Sequence, residues 1–336
     1  MALRIVKAVF ICCVVVILVF STWLAFEIYL PPKSEPQEII FEVEKGKGAE
    51  SIARALKEKG VITKEWPFFL GYKLFYSSQS LKAGEYSFSL PLSTKEVLKM
   101  LTAGQIHLHP LTIPEGLTGL EISELLHSLD TTQEEDSLEA FSRTEAVSSW
   151  DEEAQNLEGY LFPETYFFPK GTPAKEIISA MVSQFKEVFG EEWKRRAQEL
   201  ELSIREVVIL ASLVEKETSI PEEKKLVSAV FHNRLKRGMK LDCDPTIIYV
   251  LKQEGRFTGR LRYKDLKLDT PYNTYIYRGL PPSPICNPGR ASLQAALYPA
   301  DEDFLYFVSK NDGSHHFSRT FKEHQRAVLI YQKRRR

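Results

Sequence analysis

The sequence predicts an α+β protein: an N-terminal transmembrane helix, then a small α+β module, then a larger mixed α/β domain. Three observations carry that reading. Residues 8–26 run without a charge. From residue 39 the apolar pattern changes from strand to helix spacing, and two later stretches repeat the change. From Pro173 to Lys236 the spacing is helical, and from Asp242 onward short strands and turns are expected. With 336 residues and 43% hydrophobic content the chain can fill about two domains beyond an anchor.

The apolar run, AVFICCVVVILVFSTWLAF, is 19 residues long, enough for a helix to cross a bilayer. Arg4 and Lys7 precede it and Glu27 follows, so the positive-inside rule puts the N-terminus in the cytoplasm and the remainder on the outer side. Trp23 and Tyr29 fit the outer interfacial belt. A cleaved signal peptide is the competing interpretation, but the run exceeds a typical h-region and no A-x-A-like site follows it. Cys12 and Cys13 read as small apolar fillers within the span. Cys243 and Cys286 would face the oxidising side, yet two cysteines so far apart make no disulfide framework. The 44 basic and 45 acidic side chains nearly cancel, leaving no basic field to attract nucleic acid.

After the anchor (residues 1–30), PPKSEPQE (31–38) is a stiff, polar linker. IIFEVEKGKGAESIARALKEKGVI then reads as strand, turn at Gly46 and Gly48, and helix with Ile52, Ala53 and Leu56 on one face, stopping at Gly60. EYSFSLPLSTKEVLKMLTAG repeats the unit with a Ser93/Glu96 capping box and completes the module, and LTIPEGLTGLEISELLHSL echoes it again. Between the first two lies WPFFLGYKLFY. Its aromatics could stack on sugar rings, but Phe68, Phe69, Tyr72, Phe75 and Tyr76 recur at helical spacing and read better as core. Residues 131–156 are acidic and rich in Ser and Thr, a surface segment that is partly helical. EGYLFPETYFFP (158–169) concentrates aromatics and prolines where a connecting loop would not need them.

Chemistry is expected at LVEKET (213–218). Ser203 and Glu206 can box the start of a helix that runs through VVILASLV and is apolar all round, hence buried. Glu215 and Glu217 arrive in its last turn, where residues two apart point in nearly opposite directions, so they are no carboxylate pair. Either one could face an apolar environment that raises its pKa and makes it a general acid. Helical geometry does not choose between them, and a solvated Glu-Lys-Glu helix end is the bland alternative. A second capping box, Ser219 with Glu222 around Pro221, would turn the chain sharply into the next helix and leave LVEKET at a cleft. Downstream, LDCDPTIIY, TPYNTYIYRGLPPSPICNPG and HHF combine Tyr, Asn, Asp and Thr with prolines, which suits carbohydrate recognition. No G-x-S-x-G, P-loop or H-E-x-x-H occurs. His107 with His109, or His315 with His316, could touch a metal, but no carboxylate or cysteine is placed to complete a set. No metal and no cofactor are expected.

LASLVEKET, FHNRL, DPTIIY, YNTY, GLPPSPI, NPGRASLQAA and the late YFV and HHFS resemble, in order and spacing, the YceG-like endolytic murein transglycosylases. The resemblance implies a LysM-like module at 39–106 and a catalytic domain at 107–336. It implies a lyase that cuts the MurNAc–GlcNAc bond of nascent peptidoglycan strands without water, leaves 1,6-anhydro-MurNAc ends and terminates elongation at the outer face of the bacterial inner membrane. The family's catalytic acid falls on Glu217. Glu158 and Glu164 lie in a segment matching a family pattern and become cleft candidates, and Asn233, Asp244, Thr246, Tyr249, Tyr272, Asn273 and Tyr275 become candidate substrate contacts. Asp242 and Cys243 stand where the family usually has a polar pair such as Gln-Ser or Gln-Thr, and Ser283 replaces a common glycine, departures that bear on subsite contacts more than on the chemistry. Glycan strands are the implied partner, with peptidoglycan synthases as further ones. A non-catalytic glycan-binding scaffold is the alternative from another class.

Overall fold

The computed structural model describes residues 2–128 and 134–332, and the chain divides into two units. The first runs to His109 and includes Phe167–Lys170; the second holds Pro110–Tyr166 and the chain from Gly171 onward.

In the first unit, α1 (Ala2–Tyr29) carries the uncharged run. Among the described residues it is the one helix long and apolar enough to cross a membrane. Its final turns pack on the module: Trp23 stacks on Trp66 with ring centroids 4.9 Å apart, Lys64 pairs with Glu27, and Ile28 is buried. The module is β1 (Gln37–Val43), α2 (Ala49–Glu58), α3 (Glu65–Gly71) continuing into a π turn at 72–76, β2 (Gly84–Leu90) and α4 (Thr94–Ala103). β1 and β2 pair antiparallel with Phe41 opposite Tyr86 and Ile39 opposite Phe88. Strand alternation puts Phe41, Val43, Tyr86, Phe88 and Leu90 on one face, where they close a core with Ile52, Leu56, Phe68, Leu98 and Leu101. The Ser93/Glu96 capping box forms. The aromatic stretch is helical as expected, but its role as core needs correction. Phe68 is buried and Tyr72 and Tyr76 pack against the core, whereas Phe69 and Phe75 are exposed on the side of the helix turned away from it.

The second unit is mainly helical. Thr112 and Thr165 meet across the short strand pair β3 (His109–Thr112) and β4 (Thr165–Phe168). The helices are α5 (Gly119–Ser128), α6 (Glu134–Ser142), α7 (Ala174–Val188), α8 (Glu191–Glu199), α9 (Ile204–Glu217), α10 (Pro221–Lys236), α11 (Asp244–Gln253), α12 (Arg290–Leu297) and α13 (Phe321–Tyr331). β5 (Tyr306–Ser309) and β6 (His315–Ser318) form an antiparallel hairpin before α13. α9 lies at the centre, touched by α8, α10, α11 and α12. Its Ser203/Glu206 capping box forms, and every residue from Val207 to Val214 is buried. Each of its larger apolar side chains contributes about 1.5–3 kcal/mol through burial.

Three expectations are corrected here. The acidic segment is no surface strip: residues 131–133 lie outside the described residues, but Ser137, Phe141, Val147 and Asp151 are buried, with Asp151 paired to Arg205 at 2.6 Å. Phe141 packs over Gly119 so closely that a Cβ there would lie 2.0 Å from the ring. Beyond Asp242 the chain is more helical than strand-like. DPTIIY forms the first turns of α11, with its proline tolerated because early helical N–H groups have no partner to lose. The second capping box does not form. Ile220 occupies the cap position, and the Thr218 hydroxyl accepts the Ile220 N–H instead.

Candidate active site

The last turn of α9 presents its two glutamates to different surroundings. Glu215 is almost fully enclosed and its carboxylate is engaged by three partners: Lys224 donates at 3.0 and 3.1 Å, the Gly289 N–H at 3.0 Å and the Ser292 hydroxyl at 2.6 Å. Lys224 is itself buried and lies 3.7 Å from Glu115. A carboxylate engaged by a buried cation and two further donors is committed to joining these segments of the chain, which leaves it little capacity to act on a substrate.

Glu217 opens on a cleft of about 210 Å³ lined by Arg234, Leu241, Asp242, Asp244, Tyr275 and Phe307. Withdrawal from water pushes its carboxyl up to about 7; the Cys243 thiol, hydrogen-bonded to it, and the Arg234 charge pull the other way, while the Asp244 carboxylate adds to the rise. The Tyr275 hydroxyl donates to Asp244 at 2.5 Å. Arg234 is fixed by the carbonyls of Leu305, Lys240 and Leu241 and by Asp242 at 3.0 Å, so its charge is anchored at the cleft wall. A proton held near neutral pH beside a fixed carboxylate suits acid catalysis followed by stabilisation of positive charge.

A second group forms around Glu158. Its carboxyl accepts the Gly119 N–H at 3.1 and 3.2 Å and the Asn287 amide at 3.1 Å. Burial, with the Glu121 charge, outweighs those donors and raises it to about 8. The Tyr249 hydroxyl reaches the same carboxyl, and the Tyr249 ring lies 5.4 Å from Tyr272, whose hydroxyl meets Ser283 at 2.6 Å. Glu158, Tyr272 and Ser283 line a cleft of about 270 Å³ with Asp151, Asn156 and Arg205. Asn287 accepts the N–H groups of Gly159 and Leu161 at 2.9 Å, which holds EGYLF in place. Gly159 has φ +88, and a Cβ there would lie 2.6 Å from Val208 and Pro284, so only glycine fits.

Of the sequence-predicted residues, the structure gathers Glu217, Asp244 and Tyr275 at one cleft, and Glu158, Tyr249 and Tyr272 at the other. The helix α11 spans the two, with Asp244 in its first turn and Tyr249 further along. Three others turn inward and brace loops. Asn233 donates to the carbonyls of Glu302 and Phe304, Thr246 bonds Cys243 and Thr274, and Asn273 bonds Leu266, Leu268 and Tyr275. Glu164 is exposed and lines neither cleft. Sequence reasoning missed Arg234, Phe307 and the clamp Asn287, and marked Asp242 only as a departure from the family pattern; Arg234 and Asn287 stand inside FHNRL and NPGR, so the motifs are visible although the roles are not. Cys243 and Cys286 are both free and buried.

A model of the YceG-like family matches residues 41–329. The endolytic murein transglycosylase of Bacillus subtilis (strain 168) is 30% identical over 326 residues, covering 89% of this chain and 86% of that protein. The protein of the same name from Streptococcus pneumoniae serotype 2 (strain D39) is 29% identical over 315 residues, covering 85% of this chain and 57% of its own length. A solved structure of a YceG-like protein from Listeria monocytogenes superposes with a TM-score of 0.59 at 32% identity, over 86% of this chain and 98% of that one.

Proposed function

The chain belongs to the YceG-like family, and from that membership we propose that it is a membrane-anchored endolytic murein transglycosylase, a lyase that cuts peptidoglycan glycan strands internally. Glu217 protonates the oxygen of the MurNAc–GlcNAc bond. The C1–O bond breaks with its electron pair leaving on the GlcNAc oxygen, and positive charge develops at C1 and the ring oxygen. The carboxylate so formed then takes the proton of the muramic acid C6 hydroxyl as that oxygen closes on C1. The product carries a 1,6-anhydro end, no water is consumed, and Glu217 recovers its proton. Asp244, held by Tyr275, faces the developing charge, and Arg234 limits how far the Glu217 carboxyl is raised. Glu158, Tyr249 and Tyr272 contact a more distant sugar of the strand. α1 anchors the chain with its N-terminus in the cytoplasm, and the LysM-like module and catalytic domain work on the outer side.

One observation carries this proposal: Glu217 alone of the α9 glutamates lies open to a cleft with its proton held to about pH 7, while Glu215 is consumed by its partners. An internal nucleophile removes the need for a carboxylate pair with a water between. Digestion of purified glycan strands followed by mass spectrometry of the ends is the test. Anhydro ends are expected; hemiacetal ends would instead make the enzyme a hydrolase with Asp244 as its second carboxylate.

The acid also sets the pH dependence. Its folded-state pKa is raised from 4.5 to about 7, and the reaction needs the protonated form, so kcat/KM should level off below that value and fall about tenfold per pH unit above it. The raised value has the opposite sign from an ion-paired carboxylate. Between 4.5 and about 7 the folded chain keeps a proton that the unfolded chain releases, so this group's contribution to stability declines as pH rises through that window. Initial rates across pH 5–9, with stability checked at each point, test both statements; a rate still rising through pH 8 would contradict the assignment of Glu217 as acid.

A further inference from the structure

We propose that Glu85, His107 and His109 form a binding site for a divalent transition-metal ion, zinc foremost. The histidines alone do not make a site. The first unit supplies the carboxylate that their sequence neighbourhood lacks. One ligand atom from each of the three side chains lies within 4.8 Å of the other two. The His109 Nε2 meets the Glu85 carboxylate at 2.5 Å, and the His107 and His109 rings stand edge to face with centroids 4.7 Å apart.

The backbone explains the convergence. Residues 106–109 run beside the start of β2: the His107 N–H donates to the Glu85 carbonyl at 2.6 Å, and Ile106 presses on Gly84 so closely that a Cβ there would lie 2.4 Å from its methyl group. Gly84, at φ +139, is therefore what allows the segment to approach. His107 and His109 stand together with their rings in contact, while Leu108 between them is exposed. Glu85 belongs to the polar face of β2, since its neighbour Tyr86 is in the core.

Chemistry favours a cation here for two reasons. Two imidazoles and one carboxylate make a three-ligand set that suits zinc, with water completing a tetrahedron. An ion held between His109 and Glu85 would spread those atoms to about 3.3 Å, the edge of a tetrahedron with zinc–ligand bonds near 2.0–2.1 Å, a movement that partly exposed side chains can make. In addition, β1 places Glu42 directly opposite Glu85, and like charges facing each other across a strand pair are destabilising. A bound cation offsets that repulsion and ties the segment that leaves the first unit to β2.

The test uses the full-length chain in detergent, stripped with chelator and titrated with zinc chloride by calorimetry, with thermal melting as a second readout. Saturable binding of a single ion and a rise in melting temperature are expected. Glu85→Gln keeps a hydrogen-bond partner for His109 but removes the charge, and should weaken binding about tenfold or more; His107→Ala with His109→Ala should abolish it. Circular dichroism of each zinc-free variant shows whether the module remains folded. Absence of saturable binding by the wild-type chain overturns the proposal, as does binding of equal strength by the folded double variant, which would place the ion on other histidines.

Discussion

Glu217→Gln should lower the rate of anhydro-end formation by about 10²–10⁴-fold, with most of the loss in kcat and little in KM. Glutamine keeps the shape of the protonated acid and its neutrality, so the cleft should bind glycan as before, but it has no proton of suitable acidity for the leaving oxygen. The same neutrality predicts a melting temperature close to that of the wild type, because the carboxyl already holds its proton to about pH 7. Glu215→Gln is the informative companion. It leaves the proposed acid in place but weakens the partnership with Lys224, so it should cost stability while retaining the chemistry. Wild-type turnover by Glu217→Gln would remove Glu217 from the mechanism and favour a glycan-binding role without catalysis.

The second large effect is expected at Lys224. Its side chain and that of Glu215 are 4% and 8% exposed, and the pair sits where the end of α9 meets α10 and the turn into α12. Taking away one member of a buried pair leaves the other charged without compensation, which costs about 3–5 kcal/mol. Lys224→Met should therefore lower the stability of the second unit by that order in denaturant titration. The double variant Lys224→Met with Glu215→Met should recover much of the loss, since it removes both charges at once. If the single variant is as stable as wild type, the pair is solvated in solution and Glu215 is no longer excluded as a free carboxylate.

Where a single element carries its own signal, the fold was legible in the residues. The uncharged run of α1, the alternation of β1 and β2, the capping boxes at Ser93 and Ser203 and the all-round apolar surface of α9 all follow from local spacing. Local spacing misled where a partner decides burial. The acidic stretch around Phe141 and Val147 looked solvated because its charges outnumber its apolar residues, yet those few apolar side chains are what the second unit buries. The DPT of α11 looked like a turn because proline marks both turns and helix starts.

Candidate residues divide in the same way. Asn233, Thr246 and Asn273 have the chemistry to touch a sugar, but each is turned to a backbone that needs its hydrogen bonds. Residue type shows what a side chain is able to do, and only the surrounding chain shows which groups have already claimed it.

By itself, then, the sequence determined the elements, the resemblance and the two glutamates worth considering, because periodicity and capping act over a few residues. Tertiary structure decided which glutamate is free. Lys224 of α10, Ser292 of α12 and Gly289 just before α12 bind Glu215, while Arg234, Asp244 and Tyr275 assemble around Glu217. The same holds for Glu85 beside His107 and His109: a site made by side chains from different elements depends on how the backbone brings them together, which no local spacing records.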